Sequence, residues 1–267
     1  KTKLLQKKFF NKKKSFLFWM NSADYKKMKI LNLHEYEYII YAHSFTDAQL
    51  IWGVDSFSSM LDWLEFTINE LNKRKKKIIV KAHPNFYLKN REIYYWERNK
   101  FSKVVEKYKK YNNILFINES INNYEIMEML NKKCIAITHH GSVGIELIYN
   151  NFKVISSSCN QWDKKFKVSN IWHDIKSYKK ILNLNWNSLK HHSKKDFFKL
   201  INNLFLREEG YFGKKFHLYR LRKYLIKNKN IKKNIDDFDK VTSEFNNIKN
   251  KKKIIDKLYI SINDINV

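Results

Sequence analysis

The chain is 267 residues long, 43% apolar and 16% aromatic, enough to bury one or two cores, and it carries a formal net charge of +27. Only six of its 53 basic residues are Arg, a Lys bias that speaks for compositional background with mild attraction to an anionic membrane surface. It speaks against a specific nucleic-acid reader, which uses Arg forks on bases and phosphates. Two cysteines, Cys134 and Cys159, exclude a disulfide framework and suit a reducing, cytoplasmic compartment, and no run approaches the roughly 18 apolar residues of a membrane-spanning helix.

Residues 1–35 are basic and weakly patterned, with one strand or helix expected around Phe16 to Met20. The apolar run Ser15–Met20 follows lysines but is too short for a signal-peptide core. Tyr38 to Ala42 reads as a first strand, ending in the polar loop His43-Ser44-Phe45-Thr46-Asp47-Ala48-Gln49. Phe57, Met60, Leu61, Leu64, Ile68 and Leu71 then recur at helical spacing, with Ser58 and Ser59 at the start and Lys73 to Lys77 at the end, as the helix dipole favours. Ile78-Ile79-Val80 is the β-branched run of a central parallel strand and leads into Lys81-Ala82-His83-Pro84-Asn85.

A helix with Tyr94, Tyr95, Phe101, Val104, Val105 and Tyr108 on one side follows, then a strand at Ile114 to Ile117 ending at Asn118-Glu119-Ser120. Asn122 with Glu125 opens a helix through Leu130 in the manner of a capping box. Cys134 to Ile137 reads as a fourth strand, Thr138-His139-His140-Gly141-Ser142 as a tight polar turn, and Val143, Ile145, Leu147 and Ile148 as an amphipathic helix. Phe152 to Ile155 is the fifth strand, and residues 157–180 look irregular. Phe197, Phe198, Leu200, Ile201, Leu204 and Phe205 make another helix, Tyr219 to Ile226 a basic one, and the Lys/Asn-rich end has one weak helical stretch near Val241 to Leu258.

Strands alternating with helices predict an α/β fold: a Rossmann-like parallel sheet with right-handed crossovers and helices on both faces. The expected organisation is a basic remnant over 1–35, a Rossmann-like domain over 36–210, and a basic, helical and partly disordered tail over 211–267.

Ligands of an open parallel sheet sit beyond the carboxyl ends of its strands, and the unusual polar residues gather there. His43 and Asp47 follow the first strand, His83-Pro84-Asn85 the second, Glu119-Ser120 the third, Thr138 to Ser142 the fourth, and Ser156 to Asn160 the fifth. Pro84 biases His83 to an extended backbone, so its imidazole leaves the strand in a defined direction, able to donate to a phosphate or protonate a leaving group; the plainer alternative is a turn histidine. Gly141 and Gly144, two of only five glycines, let backbone approach a ligand at a helix start, where free N–H groups favour an anion. Ser142 can donate to that anion or simply cap the helix. Glu146, one turn on, can reach a ribose diol or face solvent. Neither His139 nor His140 sits at metal-ligand spacing, and Gly141-x-x-Gly144 is neither a P-loop nor a dinucleotide fingerprint.

Taken in order, Ala42-His43-Ser44-Phe45-Thr46-Asp47-Ala48, Asp62-Trp63-Leu64 with Thr67, Lys81-Ala82-His83-Pro84, and Thr138-His139-His140-Gly141-Ser142-Val143-Gly144-Ile145-Glu146 resemble bacterial capsule and surface-polysaccharide biosynthesis proteins, GT-B-type glycosyltransferases related to capsular Kdo transferases. The resemblance covers residues 38–205. It implies the C-terminal half of a GT-B fold, with the N-terminal domain largely missing, and a nucleotide-sugar donor such as CMP-Kdo. By the same resemblance, His83-Pro84 and Gly141, Ser142, Gly144 and Glu146 hold the donor, with inversion at the anomeric centre and no required metal or other cofactor. The chain departs from the family at Asn160-Gln161-Trp162, where an aromatic donor loop is usual.

Glycosyl transfer needs a base for the acceptor hydroxyl and stabilisation of the leaving phosphate. Asp47 is the expected base, with His43 the second candidate and a turn cap the alternative role for Asp47; His83 and Ser142 serve the phosphate. Ser120, Thr138 and Asn160, on the same edge, complete the expected donor site. The acceptor is a polysaccharide or lipid-linked glycan, with peripheral contact to the inner membrane. Two rival readings are a CDP-alditol phosphotransferase of teichoic-acid type and a non-catalytic basic binding module.

Overall fold

The five apolar runs read as strands from Tyr38 onward are strands, and all run parallel: β1 (Tyr38–Tyr41), β2 (Ile78–Lys81), β3 (Ile114–Ile117), β4 (Ile135–Thr138) and β5 (Lys153–Ser157). The computed structural model describes residues 26, 32–46, 53–87, 92–160 and 166–201. A sixth strand, β6 (Asn170–Trp172), extends the sheet beyond β5, giving the order β3-β2-β1-β4-β5-β6. The helices are α1 (Met60–Asn72), α2 (Glu92–Tyr108), α3 (Asn123–Met129), α4 (Val143–Tyr149), α5 (Ile175–Leu182) and α6 (Lys194–Ile201), with a 3₁₀ turn at Pro84–Tyr87. This is the Rossmann-like α/β arrangement that the alternation predicts.

Side chains alternate across the sheet. Ile40, Val80, Ile137 and Ile155 join one core with Leu64, Ile68 and Leu71 of α1, Phe101 and Val104 of α2, and Tyr178 and Leu182 of α5. Ile39, Ile79, Ala136 and Val154 are buried on the other face, where α4 packs on β4 and β5. Ser59 starts α1 by accepting from the Asp62 amide at 3.1 Å, and the helix buries Met60, Trp63, Leu64, Thr67, Ile68 and Leu71. A 2.7 Å bond between the Thr67 and Tyr178 hydroxyls and a 2.5 Å bond from Arg74 Nη1 to the Leu182 carbonyl tie α1 to α5.

Residues 157–180 depart from the irregular reading, since they contain β6 and the start of α5. The strand has three residues, too few to show a period, and α5 begins at a capping box of Asp174 and Ser177 whose second member is a serine where glutamate is usual. Tyr95 is the second difference: expected among the packed residues of α2, it is 66% exposed. Expectations for Phe16 to Met20, Asp47, Gln161, Trp162, Leu204, Phe205 and the two helices of the C-terminal stretch lie outside the described residues.

Trp172 anchors β6, its ring stacked on Tyr178 at 4.5 Å and edge-on to Phe57 at 5.6 Å. Trp172→Ala is expected to lower stability by about 3–5 kcal/mol in urea unfolding. A loss below about 1 kcal/mol would show that β6 is not packed as described.

Candidate active site

In this strand order the connections leave β1 and β4 in opposite directions, so a crevice opens at the carboxyl ends of these two neighbours. Tyr41 pairs with both Lys81 and Thr138, so β1, β2 and β4 end level. His43 leaves β1, His83 leaves β2, and His139-His140-Gly141-Ser142 leaves β4. Their rings meet: His43 lies 3.9 Å from His140 and 5.8 Å from His83, centroid to centroid. His139 points inward, edge-on to Trp63 at 5.3 Å and Trp172 at 5.1 Å, and its Nδ1 lies 3.0 Å from Nδ1 of His140. Gly141 is glycine because the turn lies flat on the strand end. A β-carbon there would sit 2.7 Å from the buried Thr138 Oγ1 and 3.9 Å from the His43 ring.

Hydrogen bonds assign opposite tautomers to the two rim imidazoles. His43 Nδ1 lies 3.0 Å from the Ser44 carbonyl, which can only accept, so in the neutral ring Nδ1 carries the proton and Nε2 the lone pair. The Asn85 amide donates to His83 Nδ1 at 3.2 Å, so the neutral ring carries its proton on Nε2. Part of His83 is open to solvent, yet the ring is closely surrounded; burial first, then the His43 and Lys81 charges, hold it well below the ordinary imidazole range. Burial and His43 push His139 down to about 3, against an opposing pull from the Val54 backbone and Asp55. Burial, and then His43, His139 and His83, depress His140 further still. At neutral pH these three rings are uncharged.

Carboxylates behind the rim fix the loops. Glu97, fully buried on α2, accepts from the Ser44 hydroxyl at 2.5 Å, the Thr46 amide at 2.8 Å and the Thr46 hydroxyl at 2.7 Å, all on one oxygen. Asp55, in a turn with φ of +41°, accepts from the hydroxyls of Ser157 and Ser158, the Cys159 amide and the Cys159 thiol, so it fastens the loop after β5. Burial pushes the Asp55 carboxyl up, but the bonds from Cys159, Ser157 and Ser158 outweigh it and leave the group below its ordinary range. Beneath the rim, Lys81 is buried; burial draws its amine down to about 8 while Glu146 pushes back.

The structure brings together His43, His83, Thr138, His140 and Gly141, with Pro84 opening the 3₁₀ turn beside His83. Ser142 stands at the start of α4 and makes no side-chain capping bond, while the Gly144 amide is taken by the Gly141 carbonyl at 3.0 Å. Glu146 does not face solvent: it is 2% exposed and accepts from Asn123 Nδ2 at 3.1 Å. Asn160 is folded into the β5 loop, donating to Ser156 Oγ at 3.0 Å and the Ser157 carbonyl at 2.6 Å. Ser120, after the outermost strand β3, is buried with a hydroxyl that has no partner. Among the described residues no group of three or more His, Cys, Asp or Glu is arranged to hold a metal ion.

Sequence reasoning missed Glu97 and Asp55. Glu97 had a signal, a charge at helical spacing with the packed Phe101, Val104 and Tyr108. Asp55 had only the turn sign of Gly53, whose φ is +84°.

Strand order and rim together define a Rossmann-like α/β domain with a histidine-lined crevice at its topological switch point. No family model and no curated protein matches the chain in sequence. In structure it is similar to the beta Kdo 2,4 transferase KpsC of Thermosulfurimonas dismutans, at 11% identity and a TM-score of 0.43, over 74% of this chain and 51% of that one. The chain therefore spans about half the length of that protein.

Imidazoles held neutral make stability depend on pH. His139 titrates near its ordinary value of 6.5 when unfolded and at about 3 when folded, so its contribution is full above pH 6.5 and is lost as pH falls through that window. The expected loss is about 1.4 kcal/mol per pH unit per such ring, read from urea melts between pH 7 and 5. His139→Asn is expected to flatten the slope by about one proton; an unchanged slope would count against a neutral, buried ring.

Proposed function

We propose that the crevice binds a nucleotide-activated sugar and transfers the sugar to a polysaccharide or lipid-linked acceptor, CMP-Kdo being the donor that the sequence resemblance favours. The observation that carries this reading is the pair of opposed tautomers at the switch point. Transfer must remove a proton from an acceptor hydroxyl and stabilise a phosphate as it leaves. His43 presents a lone pair on Nε2 and His83 an Nε2–H, which are the two complementary functions. In the step, the acceptor oxygen bonds the anomeric carbon as the bond from that carbon to the phosphate oxygen breaks. The acceptor proton passes to His43, or to Asp47 further along the chain, and the leaving nucleotide is held by His83 and Ser142. Gly141 keeps the β4 turn low enough for the phosphate to approach the backbone.

A nucleotide panel tests the donor. At saturation about a hundredfold above Kd, CMP is expected to raise the melting temperature by about 5 °C or more, and UDP or GDP by less. His83→Ala is expected to lower transfer about 10²–10⁴-fold. Transfer that survives His83→Ala together with Ser142→Ala would overturn the assignment, and consumption of a CDP-alditol without any sugar nucleotide would establish the phosphotransferase alternative.

Because His83, His139 and His140 are uncharged in the free crevice, an arriving phosphate should draw a proton onto it. Binding enthalpies measured at pH 7 in two buffers of different ionisation enthalpy are expected to differ by the equivalent of a fraction of a proton taken up. Equal enthalpies would show that the rings stay neutral when the anion binds.

A further inference from the structure

The two sides of α2 have different chemistry. Its inner side buries Glu97, Phe101, Val104 and Tyr108. On its outer side Tyr95 is 66% and Trp96 47% exposed, and Tyr111, just past the helix end, is the third exposed large hydrophobic residue among those described. A cation sits over each ring at 5.3 Å: Arg98 over Tyr95, Lys100 over Trp96 and Lys110 over Tyr111. Among the described side chains, the acids at this side are paired, Glu106 with Lys109 and Glu65 with Lys107. The Lys-rich composition explains a basic surface anywhere on the molecule. It does not explain open aromatic rings, since Trp63 and Trp172 are wholly buried.

We propose that the outer side of α2, led by Tyr95 and Trp96, docks on an anionic lipid bilayer. Indole and phenol rings favour the membrane–water boundary, where the ring sits among headgroups and the polar tip stays wet. Cations held beside them are placed to meet lipid phosphates. The aromatic sites lie at both ends of a helix about 25 Å long, so the axis lies along the surface and not through it. A nucleic acid would also meet cations and rings, but stacking on bases needs rings that stand clear, whereas each of these lies under its own cation.

The helix end that carries Tyr95 and Trp96 is the one near the crevice. α2 begins just after β2 and packs against the 3₁₀ turn that follows His83. Glu97, next to Trp96, reaches inward to hold Ser44 and Thr46 of the β1 loop. Docking there sets the rim of the crevice beside the bilayer, where a lipid-linked molecule is met in two dimensions. The proposal stands without the transfer reading, because vesicle binding is read with no turnover.

The test is co-sedimentation of the full chain with vesicles of phosphatidylcholine alone, and of two parts phosphatidylcholine to one part phosphatidylglycerol. The chain is expected to bind the anionic vesicles, and Tyr95→Ser with Trp96→Ser to weaken that binding about tenfold with an unchanged melting temperature. Lys100→Glu, which reverses the charge over the Trp96 ring, is expected to weaken it too, and by more at low salt than at high salt. Failure of the unaltered chain to bind anionic vesicles would overturn the proposal, as would a double variant that binds equally well. Loss of oligonucleotide binding in the double variant, with vesicle binding intact, would reassign the surface to nucleic acid.

Discussion

Two hydrogen-bonded parallel neighbours, β1 and β4, send their chains away in opposite directions, and the rest of the carboxyl edge depends on that reversal. Neighbouring strands lie about 4.8 Å apart, so residues just beyond two level strand ends are forced into ring-to-ring range. His43 and His140 need no further device to meet. What the chain must supply is a reason for polar groups to stay in so crowded a place, and it does so with carboxylates set behind the loops. Glu97 gathers three donors of the β1 loop on one oxygen, and Asp55 gathers the hydroxyls and thiol of the β5 loop. Both are loop fasteners before they are anything else.

The same crowding decides charge. Four imidazoles, a lysine and a glutamate crowd the strand ends, and they cannot all be ionised in a poorly hydrated space. Desolvation is the first cause for His83, His139, His140 and Lys81 alike, and His43 lowers the other three rings further. Lys81 keeps its proton because Glu146 opposes the burial, whereas His83, His139 and His140 lose theirs. The crevice is therefore polar without being strongly cationic, although the chain as a whole is strongly basic.

Most of the sheet was legible in the sequence because its strands are apolar runs with clear ends, as at Ile78-Ile79-Val80, and because polar residues follow each run. The convergence of His43, His83 and the His139–Ser142 turn followed from topology alone. β6 was not legible, since three residues carry no period, and its Trp172 looks in sequence like any loop aromatic. Glu146 could be placed on a helix but not on its buried side, because the Asn123 that holds it comes from a different helix. Asp55 shows the same limit more sharply: its partners lie more than a hundred residues away, and no local pattern encodes such a bond.

The opposed tautomers of His43 and His83 have one more consequence. A neutral imidazole gives up its remaining proton only in strong base, so His83 can share its Nε2–H in a hydrogen bond but not part with it, whereas a lone pair such as that on Nε2 of neutral His43 can take a proton up. The Ser44 carbonyl and the Asn85 amide hold that difference in place, and the ring centres, 5.8 Å apart, are too distant for a direct bond between them. The two sides of the crevice are therefore not interchangeable: one is set to receive a proton, the other only to share one.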